Sequence, residues 1–263
     1  MKSAPHTKIK KIIIIDMTKI DIMKRPTIST IVVIICLIVI GLYAMGEVNY
    51  FSSKVVVEKT IDADFPKIII PSIGVNERIN NESLNYGVLS DPGENIPTEN
   101  PVVLYGHRTL QGSPFLRLNE IGIGDTFILE WPGLGELKYT IVNKTIVPAS
   151  YELTEDGPNS TYLITCDPIG STENRIIIQG ELTEKSPINT KLLQDNPQES
   201  NAWIIAAIFL IIGGILSYFY PKDNRIYIFA TVLIISAVLF YCCINPIPSE
   251  LIYDKIIFLN GGL

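Results

Sequence analysis

One thiol and one imidazole stand apart from the other reactive side chains of this sequence. Cys166 closes the run Tyr162-Leu163-Ile164-Thr165-Cys166, and His107 lies in Tyr105-Gly106-His107-Arg108. Cys36, Cys242 and Cys243 fall in apolar runs, and the only other histidine, His6, belongs to a basic amino-terminal stretch. Cysteine is nucleophilic as thiolate, so its proton, with a pKa near 8.5, must be taken by a base or its anion held by a cation. His107 is the one imidazole within reach, and the pair predicts covalent acyl transfer. Arg175 follows Cys166 by nine residues and opens the next strand-like run. If residues 167–174 form a loop, Arg175 returns beside Cys166, where a permanent cation stabilises a thiolate or an oxyanion. Singly, each residue has a commoner structural role: a small buried hydrophobe, a structural histidine, a solvated strand end. Their joint occurrence in one polar segment favours the catalytic reading.

The elements that must position them divide between lipid and water. The 263-residue chain is 47% hydrophobic with mean hydropathy +0.30, and three charge-free apolar runs, 28–46, 202–220 and 226–245, explain the excess. Each is about the length that spans a hydrocarbon core of about 30 Å as helix. The expectation is a multi-pass protein of the plasma membrane. Lys2, Lys8, Lys10, Lys11, Lys19, Lys24 and Arg25 precede the first run against Asp16 and Asp21, which places a cytoplasmic basic tail at 1–27 by the positive-inside rule. Residues 47–200 are then extracytoplasmic, the connector 221–225 returns to the basic side, and the tail 246–263 ends outside. Ala44-Met45-Gly46 has the small-x-small form of a cleavage site, but the apolar run is long for a signal core and an uncleaved anchor is favoured.

Between the spans, residues 47–200 carry 11 Lys+Arg against 22 Asp+Glu, a net charge of −11, which excludes nucleic acid as a partner. A single cysteine there has no partner for a disulfide, so the thiol is not a structural staple. Residues 47–64 read as a linker, and 65–75 as a strand interrupted by proline and glycine. Further runs rich in Ile, Val, Thr, Tyr and Phe lie at 102–105, 126–131, 137–148, 161–166 and 175–182, separated by turn-forming pairs. Only 113–121 reads as helix, with Phe115, Leu118 and Ile121 at spacing three. Residues 183–201 form a second linker. This pattern predicts an all-β barrel or sandwich of about 130 residues with its own core.

On these motifs the chain resembles the sortases, membrane-anchored cysteine transpeptidases of prokaryotic cell surfaces. Family members share a strand ending in Thr-Leu-x-Thr-Cys, an upstream Gly-His, and an arginine several residues beyond the cysteine. Here these are Leu163-Ile164-Thr165-Cys166, Gly106-His107 and Arg175, in that order, and Ile70-Pro71-Ser72-Ile73-Gly74-Val75 is similar to the family's first-strand region. The stretch 105–115 is most similar to the class E type. Tyr162 replaces the family's first threonine, and two carboxy-terminal spans are unusual for it.

The resemblance implies a closed eight-stranded β-barrel over 65–182 with short helices, beside three transmembrane helices. Cys166, His107 and Arg175 would meet at one end of a groove, with Leu163 and Thr165 contributing to substrate binding. Cys166 would attack the Thr-Gly carbonyl of a Leu-Pro-x-Thr-Gly-like sorting signal on a secreted protein, and the thioacyl group would pass to an amine on the cell surface. His107 would serve as general acid and then base, and Arg175 would hold the substrate backbone and the oxyanion. No cofactor is implied. Calcium, bound by some relatives in the loop before the cysteine strand, has Glu152, Glu155 and Asp156 as candidate ligands. Arg108, next to His107, faces away from the site if strand alternation holds. The competing readings are a cysteine protease that delivers the acyl group to water, and a non-catalytic binding module on the same barrel.

Overall fold

In a computed structural model of the chain, the described residues are 25–60, 65–90, 96–109, 112–188 and 198–247, without the side chains of 56–60. The basic stretch before residue 25 and the tail from 248 lie outside them. Eight strands close into a barrel: β1 (Lys67–Ile70), β2 (Val75–Asn80), β3 (Val88–Ser90), β4 (Val102–Tyr105), β5 (Thr126–Trp131), β6 (Gly135–Pro148), β7 (Ser160–Asp167) and β8 (Asn174–Ser186). Their order is β1-β2-β3-β4-β7-β8-β6-β5, and β5 pairs with β1 to complete the ring. The β2–β3 and β4–β7 pairs are parallel and the other pairs antiparallel.

Alternation along the strands sends one face inward. Ile68, Ile70, Leu104, Leu129, Leu137, Leu163, Ile176 and Ile178 fill the barrel with Phe115 and Leu118 from the connection after β4. Phe127 and Tyr139 stack across β5–β6 with centroids 5.1 Å apart, and Gly180 lies beneath them because a Cβ there would come within 2.5 Å of the Phe127 ring. A second apolar cluster, Val103, Tyr162, Ile164 and Ile177 with Tyr105, Val147 and Leu153, covers the outer face of the β4–β7–β8 region.

Three helices accompany the barrel: α1 (Ile28–Thr60), α2 (Asn201–Phe219) and α3 (Arg225–Ile244). Each is long and apolar enough to cross a membrane. They pack through small residues. A Cβ on Gly41 would press on Ile235, and one on Gly213 on Val232, the close approach that substitutes for a hydrophobic drive between helices in lipid.

The expected linker at 47–64 is instead helix as far as Thr60. No glycine or proline interrupts 47–60, and the added turns find partners on the barrel. Lys54 Nζ sits 2.9 Å from Glu77 Oε2, with 10% and 1% of the two side chains exposed. Tyr50 Oη donates to the same carboxylate at 2.9 Å, and Lys54 also reaches Gln198 Oε1 at 2.7 Å. The helix expected at 113–121 is a series of turns ending in a single 3-10 turn, Leu118–Glu120. Spacing three suits the three-residue period of that turn, so Phe115, Leu118 and Ile121 are still buried together. The run 65–75 becomes β1, a 3-10 turn at Pro71–Ile73, and the start of β2 after Gly74 at φ 72. β8 continues to Ser186 rather than stopping at 182.

Candidate active site

β4 and β7 run parallel, with Tyr105 opposite Ile164 as their last ladder pair. His107 therefore follows β4 at the same end of the barrel at which Cys166 leaves β7. Both line one surface groove, with Arg108, Thr109, Gly170, Ser171 and Thr172. Three contacts carry the two chains side by side past the ladder. Gly106 N donates to Ile164 O at 3.2 Å, Thr165 Oγ1 donates to Gly106 O at 2.8 Å, and Arg108 Nη1 donates to Cys166 O at 3.2 Å. The turn at Gly106 is tight because a Cβ there would overlap the ring of Phe115. Phe115 N in turn donates to His107 O at 3.0 Å. His107 is half-buried, and burial holds its imidazole below the ordinary value of 6.5, so the ring at neutral pH is uncharged and able to accept a proton.

Arg175 pairs directly with Cys166 across β7–β8, which puts both side chains on one face of the sheet. It is absent from the groove lining: its Nη1 donates to Thr172 O and Asn174 O, each at 3.0 Å. The guanidinium thus ties down the β7–β8 loop, whose Thr172 side lines the groove.

Two residues expected to bind substrate are elsewhere. Leu163 is fully buried in the barrel core. Thr165 is 3% exposed, with its hydroxyl committed to Gly106. Alternation explains both, since in β7 the positions of Leu163 and Thr165 face inward and those of Tyr162, Ile164 and Cys166 face outward. Tyr162, which replaces a threonine of the family motif, shares the outward face. Its hydroxyl accepts from Asp156 N at 2.8 Å and fastens the β6–β7 loop over the strand.

Arg108 also departs from expectation. It is 5% exposed, and its Nη1 lies 2.6 Å from Asp167 Oδ1 while Nε donates to Leu116 O at 3.2 Å. Strand alternation does not govern it, because β4 ends at Tyr105. Glu152 and Glu155 are exposed and the Asp156 carboxylate accepts from Gln179 Nε2 at 2.5 Å. Among the described residues no three carboxylate, histidine or cysteine side chains gather as metal ligands, so the calcium expectation has no ligand set there.

The segment just beyond His107 also touches α1. Tyr43 Oη donates to Thr109 O, Gly112 N donates to Glu47 Oε2 at 2.9 Å, and the Tyr50 ring fills the space beside Gly112, whose φ is 72. Residues of the apolar helix therefore brace the segment just beyond His107. Nothing in the composition of 43–50 signals this, since the partners are more than 60 residues away.

Comparison with protein families gives a match to the sortase domain over residues 67–183. Similar solved structures include sortase C-1 from Actinomyces oris, 28% identical over 47% of this chain and 74% of that one, TM-score 0.41. A lid mutant of sortase A from Corynebacterium diphtheriae is 23% identical over 49% and 75%, TM-score 0.42, and sortase C1 from Streptococcus suis 23% over 46% and 73%, TM-score 0.41. Comparison with curated proteins gives no match. Residues 67–183 of the chain thus match the sortase domain.

Proposed function

We propose that this chain is a membrane-anchored cysteine transpeptidase in which Cys166 is the nucleophile and His107 the acid–base group. The observation that carries the reading is the convergence of the Cys166 thiol and a neutral His107 imidazole on one groove, at the ends of two parallel strands. The neutral ring accepts the thiol proton as sulfur attacks the Thr-Gly carbonyl of a Leu-Pro-x-Thr-Gly-like sorting signal. A carbon–sulfur bond forms, the Thr–Gly amide breaks, and His107 returns the proton to the leaving amine. A cell-surface amine then attacks the thioester, the carbon–sulfur bond breaks, and the thiol is restored. Arg175, beside Cys166 in the sheet, exchanges one of its loop carbonyls for the substrate backbone and the developing oxyanion.

The three apolar helices support an anchored, multi-pass topology with the barrel extracytoplasmic, so that the partners are secreted proteins bearing the signal. The stretch 105–115 supports a class E type. The test is the full chain in detergent with a fluorogenic sorting peptide, with and without an amine acceptor. The proposal expects an aminated product that grows with acceptor concentration and is lost in Cys166→Ala. Product yield indifferent to the amine assigns the chain to hydrolysis and overturns transpeptidation.

A further inference from the structure

We propose that Arg108 is a positioning residue for the pair Cys166 and His107, acting through its ion pair with Asp167. The proposal rests on the reading of those two residues given above. The backbone ladder between β4 and β7 ends at Tyr105 and Ile164, with one further bond from Gly106 N to Ile164 O. His107 and Cys166 both lie beyond it, so their separation depends on side-chain contacts.

Two rivets flank the reactive residues. On the amino side Thr165 Oγ1 holds Gly106 O at 2.8 Å. On the carboxy side the Arg108 guanidinium makes three contacts at once: Cys166 O at 3.2 Å, Asp167 Oδ1 at 2.6 Å and Leu116 O at 3.2 Å. Arg108 is covalently next to His107 and Asp167 next to Cys166. The ion pair therefore fixes the backbone segment carrying the imidazole against the one carrying the thiol, and Leu116 fixes both against the turn that also holds His107 O through Phe115 N. Arginine is required for this, because its planar fork offers several directed donors where lysine offers one point charge. A surface ion pair carries little weight as an argument, but this guanidinium is 95% buried by its 5% exposure, and a buried cation whose partner is removed is strongly disfavoured.

The test follows the rate at which iodoacetamide modifies Cys166 at pH 7 in the full chain, read on the Cys166 peptide by mass spectrometry so that Cys36, Cys242 and Cys243 do not contribute. The variants are Arg108→Gln, Arg108→Lys, His107→Ala and the double variant His107→Ala/Arg108→Gln. The expected result is a loss of about tenfold or more in Arg108→Gln, within what acid–base assistance supplies, with partial recovery in Arg108→Lys. The double variant is then no slower than His107→Ala alone, because Arg108 acts through His107. Where Arg108→Gln does not fold, Asp167→Asn keeps the shape, loses the charge, and should fall in the same direction. A wild-type rate in Arg108→Gln, alongside a slowed His107→Ala, overturns the positioning role alone. So does an equal further loss on the His107→Ala background, which assigns Arg108 a general structural effect. A wild-type rate in His107→Ala overturns the catalytic reading and this proposal together.

Discussion

Replacing Thr165 by valine removes one oxygen from the position next to the nucleophile and little else. Valine keeps the β-branched shape of threonine, so packing against neighbouring core residues is largely preserved. The hydroxyl that donates to Gly106 O at 2.8 Å is lost, and that carbonyl belongs to a buried residue pressed against Phe115, out of reach of a replacing water. A buried acceptor left without its donor costs about 1–3 kcal/mol. Over the domain at residues 67–183, about 2.1 cal/mol/K per residue gives an unfolding entropy of about 0.25 kcal/mol/K, so melting should fall by about 4–12 °C. Trp131, one of two tryptophans, reports barrel unfolding in a Trp203→Phe background. Because Thr165 faces inward, KM for a sorting peptide should stay within about twofold while kcat falls, the mark of an interaction outside ground-state binding. Thr165→Ser, which retains the donor, should recover most of the stability. A raised KM with unchanged melting would refute the reasoning, since it would mean that Thr165 touches substrate.

Three further outcomes follow from the same geometry. In His6→Gln protein the remaining histidine, His107, should titrate by NMR with a midpoint below 6.5, since burial favours its neutral form; a midpoint at or above 6.5 contradicts that burial. The unfolded chain then binds the extra proton first, so this group makes stability fall as pH drops below about 6.5. Glu130 on β5 is 3% exposed and neither carboxylate oxygen has a partner among the described residues. Burial, first, then Glu136, raise its pKa from 4.5 to about 7 against the pull of Lys67. The folded state holds that proton more tightly, so stability is lost as pH rises from about 4.5 to 7, and Glu130→Gln should gain melting temperature relative to wild type at pH 8 but not at pH 4.5; an equal gain at both refutes the assignment. Gly112→Ala combines a left-handed backbone, about 1–2 kcal/mol, with displacement of Tyr50 from beside it. It should lower Cys166 reactivity by loosening the segment after His107, whereas Gly133→Ala, with open space around it, should leave reactivity unchanged.

The motifs around Cys166 and His107 were legible because they are short, local and chemically distinctive, and six of the eight strands were legible because their β-branched and aromatic runs lie between turn residues. β2 was hidden by its own composition. Asn76, Glu77, Arg78 and Asn80 form no apolar alternation, and Glu77 is buried there against Lys54 and Tyr50 of α1, a partnership no local pattern contains. The continuation of α1 through 47–60 was missed for the same reason. Leu163 and Thr165, expected at the substrate, lie inward, as alternation from an outward Cys166 requires. Arg108 lines the groove rather than facing away from it, because alternation does not extend beyond the end of β4. The register of Cys166 with Arg175 followed from the loop length between them, while the turning of the Arg175 guanidinium onto Thr172 and Asn174 depends on a loop conformation that spacing does not contain.

The central claim is that Cys166 carries the acyl group. Intact-mass and peptide-mass measurement of the full chain, quenched in acid during turnover of a Leu-Pro-x-Thr-Gly peptide, reads it directly. An adduct equal to the peptide's amino-terminal fragment is expected on Cys166, absent from Cys166→Ala and discharged by added amine. Cleavage of the peptide with no adduct on Cys166, or with full rate in Cys166→Ala, would contradict it.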